Sequence, residues 1–140
     1  MRILFDPNVI LDALLTRTPQ HVPAVALMDS VARKELAALL SATSITTIYY
    51  LAEKAVGAST ARRRVSDLLN VFDIAPVTSR VLTDALALGF KDYEDALLHE
   101  AARHAAATAI VTRNPKDFAA AKLGFYQPAE LLRILHATPW

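Results

Sequence analysis

The chain has 140 residues, of which 54% are hydrophobic and 21% charged, with a formal net charge of +1 and no cysteine. That length predicts one domain, residues 1–140, with one core that buries about two thirds of the surface its unfolded form would expose. Near-neutral charge gives no global pull toward nucleic acid or membrane; the missing cysteines exclude a disulfide framework, a thiolate zinc site and a cysteine nucleophile, and no apolar run reaches the roughly 18 residues of a membrane span, which together fit an untargeted cytoplasmic protein.

The chain opens with Arg2-Ile3-Leu4-Phe5-Asp6-Pro7-Asn8-Val9-Ile10-Leu11-Asp12. It reads as a buried strand, a turn carrying a carboxylate, and a helix start. Val9 to Leu15 continues as a helix up to the polar break at Thr16-Arg17-Thr18-Pro19. Pro23 to Lys34 predicts a second helix, and Leu36 to Leu40 a second buried strand that ends in the capping-type residues Ser41 to Ser44. Ile45, Ile48, Tyr49, Ala52 and Val56 form the apolar stripe of a third helix, from about Ile45 to Val56. A helix over about 61–72 follows, then a short strand over 73–77, which Pro76 assigns to an edge. Ser79 to Leu88 predicts a helix ended by Gly89, and Asp92-Tyr93-Glu94-Asp95 opens an Ala-rich helix reaching about Ala107. A strand at 108–111 runs into Thr112-Arg113-Asn114-Pro115; a minimal strand near Phe125 and a helix from about Pro128 to Leu135 close the chain. Strands alternating with helices predict an α/β fold, a parallel sheet with helices on both faces.

In such sheets ligands bind outside the carboxyl ends of the strands. Four acids are expected at that edge: Asp6 after the first strand, Glu53 on the helix after the second, Asp95 in the first turn of the helix before the 108–111 strand, and Asp117 beyond that strand. Carboxylates gathered without a countercharge repel one another and raise some of their pKa values, a penalty that a divalent cation removes. Oxygen donors without cysteine or paired histidine suit Mg2+ or Mn2+ better than zinc. The matching reaction is hydrolysis of a phosphodiester by metal-activated water.

The run Phe5 to Asp12, Glu53, the segment Asp92-Tyr93-Glu94-Asp95-Ala96-Leu97 and the run Thr112 to Phe118 resemble, in order and spacing, the motifs of PIN-domain ribonucleases, including the VapC-type toxins. The resemblance spans nearly the whole chain. It implies a three-layer α/β/α sandwich with a central mostly parallel sheet, and a metal-dependent ribonuclease. It further implies an RNA substrate, a homodimer, and an antitoxin protein partner. The family's metal-binding acids fall on Asp6, Glu53, Asp95 and Asp117, with Asn8, Asp92, Thr112 and Asn114 as supporting polar groups. The chain departs from the family pattern at Pro7, where a Thr or Ser is usual, and at Asn114, where many members carry an acid.

Five of the acids also have a purely structural reading. Asp6 and Asp92 suit helix N-caps, Asp95 suits the positive end of a helix dipole, Glu53 suits an ion pair with an arginine of the next helix, and Asp12 suits a surface or supporting position. His99, four residues after Asp95, is placed to orient it, and Arg17, Lys54, Lys91, Arg113 and Lys116 are candidates to approach phosphate. An aspartyl phosphotransferase would need an acid where Asn8 stands, and a dinucleotide-binding protein would need a glycine-rich turn after the first strand. The rival reading is a catalytically inactive PIN-like module that binds RNA or protein, for which Pro7 and Asn114 argue.

Overall fold

Ile3, Leu4 and Phe5 are wholly buried, so strand β1 (Arg2–Phe5) is covered on both faces, the condition of a central strand in a parallel sheet. The computed structural model describes residues 1–115 and 123–137. Around β1 lie β2 (Ala37–Ser41), β3 (Asp73–Ala75), β4 (Ala109–Val111) and β5 (Gly124–Tyr126), in the order β3-β2-β1-β4-β5 with every pairing parallel. Their helices are α1 (Pro7–Leu14), α2 (His21–Ala32), α3 (Ala42–Val56), α4 (Ala58–Val71), α5 (Ser79–Ala87), α6 (Tyr93–His104) and α7 (Pro128–His136).

Alternation along the strands divides the core. Ile3, Phe5, Ala38, Leu40, Ala109 and Val111 meet α1, α2, α3, α4 and α7 on one face. Leu4, Leu39 and Ile110 meet α5 and α6 on the other. The result is the expected three-layer α/β/α sandwich. β3 is an edge strand, where Pro76 needs no ladder partner. No helix among the described residues is long and apolar enough to cross a membrane.

Helix α3 starts earlier than its apolar stripe suggests. Ser41, the last residue of β2, accepts a hydrogen bond from the backbone N–H of Ser44 at 3.2 Å and so caps the helix from Ala42. Its hydroxyl also lies 2.8 Å from that of Ser44 and 3.1 Å from that of Thr43. Ser41→Ala should therefore lower the thermal midpoint by about 4 °C, the effect of losing about 1 kcal/mol of capping, as read from a melting curve. Between α3 and α4 the chain passes through Gly57 at φ 89°, ψ 162°, a conformation open almost only to glycine. Val56, expected in the buried stripe, is exposed in the turn just before it.

Candidate active site

The carboxyl edge of the sheet can be measured from the opposite edge. The Arg2 Nε donates to the Ala105 carbonyl at 2.8 Å, which fixes the end of α6 beside the start of β1. Asp6 stands four residues above Arg2, about 13 Å along a strand, and Asp95 ten residues above Ala105, about 15 Å along a helix that packs on Leu4, Leu39 and Ile110. The two acids therefore reach the same level. Thr112 joins them, since the pairing of Phe5 with Val111 continues to Asp6 and Thr112.

Asp6 is only 7% exposed and is held on both oxygens. The backbone N–H of Asn8 donates to Oδ1 at 2.8 Å, and the Thr112 hydroxyl donates to Oδ2 at 2.9 Å. The Asn114 backbone N–H in turn donates to the Thr112 hydroxyl at 3.2 Å, so the loop after β4 fixes the direction of that hydroxyl. Burial pushes the Asp6 carboxyl above its ordinary range, against the pull of the Asn8 and Thr112 hydrogen bonds and the Arg113 charge. Asp6 thus caps α1 and is at the same time a desolvated carboxylate. Pro7 fits this arrangement without loss, because it occupies the first helical position, where a backbone N–H would have no partner.

The other expected residues divide clearly. Asp92 caps α6, its Oδ1 accepting from the N–H groups of Glu94 at 2.8 Å and Asp95 at 3.3 Å. Asn8 and Asn114 act through their backbone N–H groups, and the Asn114 side chain is exposed. Glu53 does not come to this edge in the way Asp95 does. It is exposed in the last turn of α3, about 18 Å along the helix from Ser41, the residue level with Asp6. The hydroxyls of Ser41, Thr43 and Ser44 are what β2 and α3 place there. Asp117 and Lys116 lie outside the described residues.

Arg113 and Arg17 have a use that the sequence does not show. Both face Asp12, which is 1% exposed, at 3.0 Å and 3.7 Å respectively. Burial pushes Asp12 up, and the two guanidiniums counter it. Asp12 is a buried ion-pair partner rather than a surface group.

Among the described residues, the group of three or more side chains with metal-holding spacing is Asp84, Glu100 and His104. A cation already fills it. The Arg103 Nη2 lies 2.8 Å from Glu100 Oε1, 3.2 Å from Asp84 Oδ2 and 3.2 Å from His104 Nε2. This is an ion-pair network fastening α5 to α6, and His99 adds to it by placing Nδ1 2.8 Å from Glu100 Oε2.

A parallel sheet with a buried acid at the end of its central strand, and a second acid brought level by the helix before β4, defines an α/β protein with acids at the carboxyl edge of its sheet. The chain belongs to the PIN-domain family, whose model matches residues 2–116. It is similar to Ribonuclease VapC1 of Aquifex aeolicus (strain VF5), with 27% identity over 122 residues that cover 84% of this chain and 83% of that protein. Its fold is shared with VapBC2 from Rickettsia felis, solved bound to a promoter DNA fragment, at a TM-score of 0.69 and 15% identity over 91% of this chain and 98% of that one. A toxin-antitoxin complex from Klebsiella pneumoniae gives 0.70 and 22% over 90% and 97%. Mycobacterium tuberculosis VapC20, a toxin that cleaves the sarcin-ricin loop, gives 0.64 and 16% over 77% and 86%.

Proposed function

We propose that residues 1–140 act as a single-domain, metal-dependent ribonuclease that hydrolyses RNA phosphodiester bonds, and that it is the toxin of a toxin-antitoxin pair working in the cytoplasm. The observation that carries this reading is Asp6: a carboxylate buried at the end of the central strand, held by Thr112 and Asn8, with Asp95 at its level. Family membership and the ribonuclease and toxin names of the relatives support it.

The residues fit a hard divalent cation. Asp6 and Asp95 offer oxygen donors, and burial leaves Asp6 in want of positive charge. Asp6 and Asp95 would hold Mg2+ or Mn2+, with Asp117 as the third acid of the proposal. When bound, such an ion lowers the pKa of the attacking water and offsets charge on the leaving oxygen. The protein's own part is positional. Thr112 and the Asn8 N–H hold the Asp6 carboxyl in one orientation, and the α6 cap at Asp92 holds the turn that carries Asp95.

An antitoxin and a second copy of the chain are the proposed protein partners. The exposed apolar side chains of Val22, Val25, Leu82 and Leu86 supply the kind of surface that protein partners bury. The deciding measurement is cleavage of labelled single-stranded RNA by the pure protein. Cleavage is expected with Mg2+ or Mn2+ and none in EDTA; diverse RNAs left intact with both metals would overturn the reading.

A further inference from the structure

A cleft of about 510 Å3 opens between the start of α2, the loop after β4 and the turn from β5 into α7, and Gln20, Pro23, Arg113, Asn114, Gln127 and Pro128 line it. Its size falls within the range of about 300–1,000 Å3 usual for small-molecule sites. It begins beside the candidate active site. Asn114, on its wall, donates to the same Thr112 hydroxyl that holds Asp6, and two residues of chain span at most about 7 Å.

The lining decides what can bind. Gln20 precedes α2, yet its side chain makes no capping hydrogen bond. Gln127 stands at the start of α7, where its backbone N–H donates to Glu130 Oε1 at 3.2 Å. With Asn114 these make three carboxamides, each able to present a donor and an acceptor side by side. Pro23 and Pro128 add apolar ring surface. Arg113 is the cation among these residues and is engaged by Asp12 at 3.0 Å, so the groups left to meet a ligand are mainly the carboxamides, which suit a neutral, flat, hydrogen-bonding group. Paired donors and acceptors on a flat ring are what an unpaired nucleobase offers.

We propose that this cleft takes the nucleobase of the nucleotide adjoining the scissile phosphate in single-stranded RNA, that the carboxamides of Gln20, Asn114 and Gln127 read its edge, and that it sets the base preference of cleavage. The link to cleavage rests on the ribonuclease reading of Asp6; base binding in the cleft does not.

The test separates the two. Isotope-labelled wild-type protein in EDTA is titrated with each of the four homotrimeric ribonucleotides while the side-chain NH2 resonances are followed by NMR, with Gln20→Ala and Gln127→Ala used to assign them. One trimer is expected to shift the Gln20 and Gln127 signals and to bind at least about tenfold more tightly than the weakest, as a two-point contact to one base edge would require. Gln20→Ala, which removes no cap, should reduce that ratio to near unity. In a second arm with Mg2+ and random-sequence RNA, the same base should be enriched beside the cut for wild type and lose its enrichment in Gln20→Ala. NH2 signals that stay put with all four trimers, or a base preference that survives both substitutions, overturn the cleft proposal even if the protein cleaves RNA. Signals that shift in a protein that cleaves nothing uphold the cleft and overturn the ribonuclease reading instead.

Discussion

The Asp6→Asn protein is expected to cleave RNA about a thousandfold more slowly than wild type, the upper end of what removing one preorganised electrostatic group costs, and yet to be at least as stable in EDTA at pH 7. Asparagine keeps the shape of the site: its Oδ1 can accept from the Asn8 N–H, and its Nδ2 can donate to the Thr112 hydroxyl, which already accepts from Asn114. It is also as good an N-cap as aspartate. What it lacks is the charge. Burial raises the folded-state pKa of Asp6 above its ordinary value of 3.8, so the fold favours the protonated carboxyl. The stability carried by that proton is full below the ordinary value and is lost as pH rises through the raised one. At pH 7 the ionised group is therefore a burden that asparagine does not carry. The melting temperatures of variant and wild type should differ most near neutrality and converge in acid. Adding Mg2+ should raise the wild-type midpoint, because a ligand that binds only the folded state stabilises it by about 2.7 kcal/mol at a hundredfold excess over its dissociation constant. The variant should respond little. A variant that cleaves at the wild-type rate, or that melts well below wild type in EDTA at pH 7, would remove Asp6 from the centre of the site.

Asp6 and Asp95 are legible in the sequence because each depends on a local signal, a strand running into a turn and a helix opening on acids, which parallel topology converts into shared height above the sheet. Glu53 shows where that logic stops. An apolar stripe dates a helix from its first apolar member, Ile45, but the Ser41 cap starts α3 three residues earlier, and Gly57 then leaves the last turn open to water. A carboxylate beside a stripe in that turn carries no desolvation cost. The Asp12–Arg113 contact joins residues 101 positions apart, so nothing local announces it. Glu100 was hidden for a different reason. α6 lies across the middle of the sheet and is buried from Ala96 to Ala102 almost all round, so its charged residues fall at positions that helical periodicity alone assigns to neither face.

Arg103→Met should lower the unfolding free energy by about 3 kcal/mol, the low end for stripping a buried charge of its partner, and the thermal midpoint by about 10 °C at neutral pH. The low end applies because the two partners differ in exposure: the Arg103 side chain is 49% exposed, whereas Glu100 is 3% exposed. Losing the guanidinium therefore costs mainly what Glu100 then suffers. Burial pushes the Glu100 carboxyl up, but hydrogen bonds from Arg103 and His99, with their charges, outweigh it and hold the group below its ordinary value of 4.5. A depressed carboxylate contributes stability that is present above the unfolded pKa and lost as pH falls through the folded one. Without Arg103, His99 is left to oppose the burial effect, Glu100 takes up a proton more readily, and the deficit of the variant should be largest near neutrality and close on acidification. Asp84 keeps Arg80 and His104 as partners, so the loss should trace to Glu100. Adding Glu100→Gln to Arg103→Met should then recover part of the stability, because an amide carries no charge to strand, and a double-mutant cycle would read that coupling directly. A single variant within about 0.5 kcal/mol of wild type would show that the network is worth no more than an ordinary surface pair.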